Sequence, residues 1–154
     1  MEVINPNPGT CVDRQTILIL KIEAGQKKNG VFVKHWADEC NAIQDYLEKN
    51  FFLLVPKSIQ DPYDKLYKEL AAVNKQLWDL EDEQRIALAE FESKHGLSAT
   101  ELVPDGLEDL LLKTGIRSFK ITKLNNKRAQ LVSQINTLFG ILPQASKIHK
   151  GQSQ

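Results

Sequence analysis

Between Tyr63 and Phe91 one row of residues advances by alternating steps of three and four: Tyr63, Leu66, Leu70, Val73, Leu77, Leu80, Gln84, Ala87 and Phe91. That spacing holds every member on one face of a continuous α-helix, so the row is a seam that must be covered. A second row, Ile121, Leu124, Arg128, Leu131, Ile135 and Leu138, follows near the C-terminus. Two such seams predict an all-α fold built on a long antiparallel hairpin, residues 62–94 against 116–139. Two antiparallel helices cannot bury seams on both sides. Two N-terminal helices are therefore expected to pack on the hairpin, and a homodimer is the expected way to cover the remainder.

Helix ends follow from the punctuation of the chain. Residues 1–9 hold two prolines, two asparagines and a glycine, and read as an irregular arm. Thr10 with Asp13 resembles a helix start, a hydroxyl cap followed by an acid that favours the positive helix end. The run Thr16 to Ile22 is β-branched enough to suit a buried strand, but no partner strand follows, so a helix ending near Gly25 is preferred. Val33, Trp36, Cys40, Ile43 and Leu47 mark an amphipathic helix over 31–49. Phe51 to Pro56 is expected to cross as an extended link, since Pro56 opposes helical continuation. Asp61 and Pro62 supply an N-cap and a first-turn proline for the long helix, and Gly96 supplies its left-handed stop. A short helix is expected from Asp105 to Gly115, then the last long helix to Gly140. One helical domain over 10–142 and a disordered polar tail over 143–154 complete the expectation.

The 154 residues carry 20 Lys plus Arg and 20 Asp plus Glu, a net charge of zero. Neutrality opposes a dedicated nucleic-acid or anionic-membrane binder, and the aromatics interleave with acids rather than bases. No stretch approaches the ~18 apolar residues that span a bilayer. Cys11 and Cys40 fit reduced thiols, and the reading is a cytoplasmic protein. The charge is nonetheless sorted. From Leu110 to Phe139 every charged residue is basic, whereas Asp79, Glu81, Asp82, Glu83, Glu90 and Glu92 crowd the second half of the long helix. Antiparallel packing sets these blocks side by side, which fixes pairing and register. With the turn centred between Ser93 and Gly115, facing numbers sum to about 208. Glu81 is then level with Arg128 and Gln84 with Asn125.

The candidate binding residues are Asp13, Arg14, Lys21, Asn74, Trp78, Glu81, Arg85, Asn125 and Arg128. Asn74, Trp78, Glu81 and Arg85 share a helix face beside the apolar seam. One reading makes these groups a hydrogen-bonded network that specifies helix packing, with Trp36 and Trp78 as anchors. The other makes them an interhelical cleft where Arg and Lys hold a phosphate or carboxylate while Trp78 stacks on a ring.

Three blocks carry a resemblance: Val12-Asp13-Arg14-x-Thr16-Ile17-Leu18-x-Leu20-Lys21-Ile22-Glu23; Asn74-x-x-Leu77-Trp78-x-Leu80-Glu81-Asp82-x-x-Arg85; and Ile121-x-x-Leu124-Asn125-x-x-Arg128-Ala129-x-Leu131 with Ile135-Asn136-x-Leu138. Over Val12 to Gly140 the chain resembles a group of bacterial helical domains of unknown function. The resemblance implies an all-helical fold with a long hairpin and a setting in surface-polysaccharide or glycosyltransferase systems. It brings no catalytic residue to carry over. This chain departs from the group by a longer segment over Gln26 to Ile59.

Enzymatic motifs are weaker. His35, Glu39 and Cys40 lack the further ligands a zinc site needs, so no metal and no cofactor is expected. Asp79, Asp82 and Glu83 loosely match the carboxylate clusters of magnesium-dependent nucleotide pyrophosphatases, but the facing helix is basic. A chorismate-mutase-like bundle fits the charge types and not the helix order. No phosphate loop or nucleophile elbow is present. The leading expectation is a helical accessory or interaction protein of the bacterial cytoplasm, tied to cell-surface glycan assembly, with a protein partner or a second copy. The runner-up is a site for a small anionic ligand such as a nucleotide or sugar phosphate.

Overall fold

A computed structural model describes residues 6–29, 33–53, 55–96 and 105–141. Among them every regular element is helical: α1 (Pro8–Asn29), α2 (Lys34–Leu47) running on into a π-helical turn (Glu48–Phe52), α3 (Lys57–His95) and α4 (Leu107–Leu138). The all-α expectation holds, and residues 16–22 are helical. The tail at 143–154 and the first five residues of the arm lie outside the described residues.

Several boundaries depart from the sequence reading. Pro8 and Gly9, assigned to the arm, are buried and open α1, whose first hydrogen bond runs from the Cys11 N–H to the Asn7 carbonyl at 3.0 Å. Proline is tolerated there because first-turn N–H groups have no intrahelical acceptor. Thr10 is therefore inside the helix rather than its cap. Gly25 does not stop α1, since an interior glycine weakens a helix by only about 1 kcal/mol. The expected extended link is helical through Phe52. The start at Asp61 is also corrected: α3 begins at Lys57, where Ile59 and Gln60 donate to the Pro56 carbonyl at 2.9 and 3.3 Å. Pro62 thus lies inside the helix and costs it one backbone bond.

The chain divides into two compact units, residues 1–71 with 129–154, and residues 72–128. The first unit holds α1, α2, the start of α3 and the end of α4. Pro8, Val12, Leu18, Leu47, Leu70, Leu131 and Ile135 are fully enclosed. A Cβ on Gly9 would collide with the Val132 carbonyl and stand 2.8 Å from the Asn136 Oδ1. The Gly9 N–H donates to that same oxygen at 2.8 Å, so the absence of a side chain is what lets α1 seat on α4. α1 and α2 run antiparallel, held by Gln15 donating to Gln44 at 2.8 Å. The π-helical turn directs Phe51 and Phe52 onto Phe139, with ring centres 5.8 and 5.7 Å away. Tyr63 meets Phe52 at 5.2 Å and Phe139 at 5.7 Å, edge to face. α4 ends as read from sequence, at Gly140 (φ 78°). Ile141 donates to Asn136 and Gly140 to Thr137, which satisfies the last carbonyls.

The second unit is the rest of the hairpin. Gly96 (φ 66°) closes α3, its N–H donating to Glu92 at 2.8 Å, as expected. Gly115 does not end a helix. It lies inside α4, which begins at Leu107 in one uninterrupted run. That shift moves the turn and resets the register. The Gln84 amide donates to the Thr114 hydroxyl at 3.0 Å and its carbonyl oxygen accepts from Arg117 at 3.3 Å. The partner level of Gln84 is therefore 8 to 11 positions before Asn125. Glu81, by the same register, is not level with Arg128, which lies about three turns beyond Arg117.

Candidate functional site

The candidate residues fall into both units, and each set is described separately. In the first unit Asp13, Arg14 and Lys21 lie along α1. Arg14 does not pair with Asp13. Its Nε donates to one Glu39 oxygen at 2.7 Å and its Nη2 to the other at 3.1 Å, a two-pronged clamp between α1 and α2. The hydrogen bonds to the carboxylate raise the Arg14 pKa, and the same bonds lower that of Glu39. The Asp13 carbonyl accepts from the Thr16 hydroxyl at 2.8 Å. The Lys21 ammonium sits 5.7 Å from the Trp36 ring centre, a cation over an aromatic face. Sequence reasoning missed Glu39 as a partner because a loop separates the two helices. The helical offset of Glu39 from Trp36 was the available signal.

In the second unit Asn74 is buried, Trp78 and Arg128 are partly buried, and Glu81, Arg85 and Asn125 are exposed. Arg85 pairs along its own helix with Asp82 and not with Glu81. One cross-helix polar bridge is made by residues outside the candidate set, Gln84, Thr114 and Arg117, with Glu83 3.6 Å from the Arg117 guanidinium. Nearby, α3 and α4 border an open groove of about 490 Å³, where Asp79 and Glu83 stand across from Lys120 and Lys123. Its charge is mixed, so it offers no one-signed field to a phosphate. Among the described residues no cluster of His, Cys, Asp and Glu could hold a metal ion. Cys11 and Cys40 are free thiols, and burial raises the pKa of Cys11.

The feature that sequence reasoning passed over is apolar. On α4, Leu111, Leu112, Ile116 and Phe119 remain 60, 64, 48 and 64 % exposed. Leu112, Ile116 and Phe119 step by four and three, the spacing of a single helix face. Together with Gly115 they line a shallow apolar depression bordered by Lys120. The Lys123 ammonium lies 4.7 Å from the Phe119 ring centre and marks the patch's positive end. Glu108 and Asp109 mark its acidic end, in the first turn of α4, where they favour the helix dipole. Starting the helix at Ile116 hid this row by cutting it in two.

Comparison of this chain with known protein families, with curated proteins and with solved structures finds no match. The class defined by fold and surface is an all-α protein bearing an exposed apolar helix face. No helix among the described residues is long and apolar enough to cross a membrane.

Proposed function

We propose that this chain is a helical accessory protein whose work is protein association, carried by the outer face of α4 in the second unit. The observation behind the reading is the clustering of Leu111, Leu112, Ile116 and Phe119 at 48–64 % exposure on one helix face. Singly exposed apolar side chains are ordinary, but a contiguous patch between polar flanks is the mark of a contact surface. The occupant this face fits is another amphipathic helix, which supplies apolar anchors at the same period. The resemblance of the Asn74–Asp82 block supports a bacterial setting in company with surface-glycan assembly, and the free thiols of Cys11 and Cys40 fit the cytoplasm.

The donor groups favour association over a small anionic ligand. Both prongs of Arg14 are engaged by Glu39, and Arg85 is paired with Asp82. A pocket for phosphate or carboxylate needs such guanidinium edges turned toward the ligand.

The test is photo-cross-linking in living cells, with p-benzoylphenylalanine in place of Phe119 and, as control, in place of Thr137. A discrete protein adduct at the first position, absent at the second and abolished by Leu112→Glu, is the expected result. No adduct from position 119 contradicts the reading.

A further inference from the structure

The geometry points to a second copy of this chain as the occupant of the α4 face, in an antiparallel, two-fold arrangement centred near Gly115 and Ile116. The inference rests on the association reading and names its partner. A two-fold interface must be self-complementary, since each patch meets itself reversed. The α4 face meets that requirement. Reversal about its midpoint brings Leu112 against the second copy's Phe119, and Phe119 against the second copy's Leu112. Gly115 falls at the centre, where a Cβ would have nothing within 4 Å in the single chain, so the two helices can approach closely beside Ile116. The same reversal sets Glu108, at the acidic end, opposite the second copy's Lys123, at the basic end. Both charge pairs form at once by symmetry. A parallel arrangement instead stacks Glu108 on Glu108 and Lys123 on Lys123, which is repulsive.

The patch is small. Leu112 to Phe119 covers about two turns, or roughly 10 Å of helix. An interface of this size belongs with transient contacts under about 1,200 Å² in total rather than with obligate dimers. The dimer is accordingly concentration-dependent.

Sedimentation velocity of the full chain, from about 10 µM to about 1 mM, reads this range directly. The expected result is a reversible monomer–dimer equilibrium. Phe119→Glu should raise the dimer dissociation constant at least tenfold with an unchanged circular dichroism spectrum, because the side chain is exposed and not part of a core. Glu108→Lys and Lys123→Glu should each weaken the dimer roughly two- to fivefold, the range of an exposed charge pair, and the double variant should regain the original constant. A monomer at every concentration overturns the proposal, and so does a dimer indifferent to Phe119→Glu or a double variant weaker than either single. If the chain is monomeric while the benzophenone at position 119 still captures a different, identified protein, the second copy is wrong and the association reading stands. If both experiments are negative, both fall.

Discussion

Both units contain parts of the same two long helices and differ in how far they enclose their side chains, Val73, Asn74 and Leu77 being buried in the second. Among the described residues the large side chains that are fully enclosed, Leu18, Leu47, Leu70, Leu131 and Ile135 among them, belong to the first unit. Of the large apolar side chains that stand exposed among the described residues, Leu53 belongs to it, and Ile86, Leu88, Leu111, Leu112, Ile116 and Phe119 belong to the second. In the first unit α1 seats on α4 through Gly9 and Asn136, α2 packs on α1, and rings from the π-helical turn meet Tyr63 and Phe139. In the second, the described residues are two helices, bridged among others by an amide, a hydroxyl and a guanidinium. A pair of helices always leaves its outer faces uncovered. When such a face stays apolar, its sequence is fitted to a surface rather than to a core.

The largest contrast should come from truncating leucines. Leu131→Ala, in the enclosed unit, should cost about 2–5 kcal/mol of stability, whereas Leu112→Ala should stay within about 0.5 kcal/mol at low protein concentration. Equilibrium urea unfolding measures both, and equal costs would erase the distinction between the units. Glycines sharpen it by a change of sign. Gly9→Ala forces a methyl group against the Val132 carbonyl and should destabilise by about 1–3 kcal/mol. Gly115→Ala meets open space inside α4 and should stabilise by up to about 1 kcal/mol.

The third contrast is in pH. Burial first, then Tyr67 and Asp64, hold the Tyr63 pKa above its ordinary value near 10. The folded state therefore keeps the Tyr63 proton that the unfolded chain releases. This contribution to stability is complete below about pH 10 and is lost as pH rises above it. Tyr63→Phe should flatten the alkaline fall of the thermal midpoint between pH 9 and 11, without abolishing it, because burial also raises the pKa of Tyr46 and Tyr67. The smallest effect should be that of Arg14→Ala. Its clamp on Glu39 lies at the surface, 45 and 40 % exposed, where water and salt screen the pair. The lowered Glu39 pKa makes the contribution present above its ordinary value and lost as pH falls through the folded value, so Arg14→Ala should change the midpoint less at pH 3 than at pH 7.

The long helices and their glycine stops were legible because period and left-handed glycine act locally. Gly96 and Gly140 both adopt positive φ and end helices, as their positions beyond an apolar row implied. Gly25 and Gly115 have the same side chain and end nothing, because the residues around them hold the helix across a cost of about 1 kcal/mol. Misreading Gly115 shifted the register and concealed the α4 face, although Leu112, Ile116 and Phe119 were in plain spacing. Asp61-Pro62 was a sound start signal overridden by an earlier one at Pro56. The Arg14–Glu39 clamp was beyond local reasoning, since it depends on how α1 meets α2. Of the candidate site, sequence supplied residue types on α1 and α3 but not their partners.

Amide hydrogen exchange read peptide by peptide, at about 10 µM and about 1 mM, tests the central claim most directly. The predicted result is slow exchange across α1, the start of α3 and the end of α4 at both concentrations. Peptides covering residues 107–123 should exchange faster and gain protection only in the concentrated sample. Equal protection of both units, or a 107–123 segment indifferent to concentration, would contradict the division into a closed core and an open contact face.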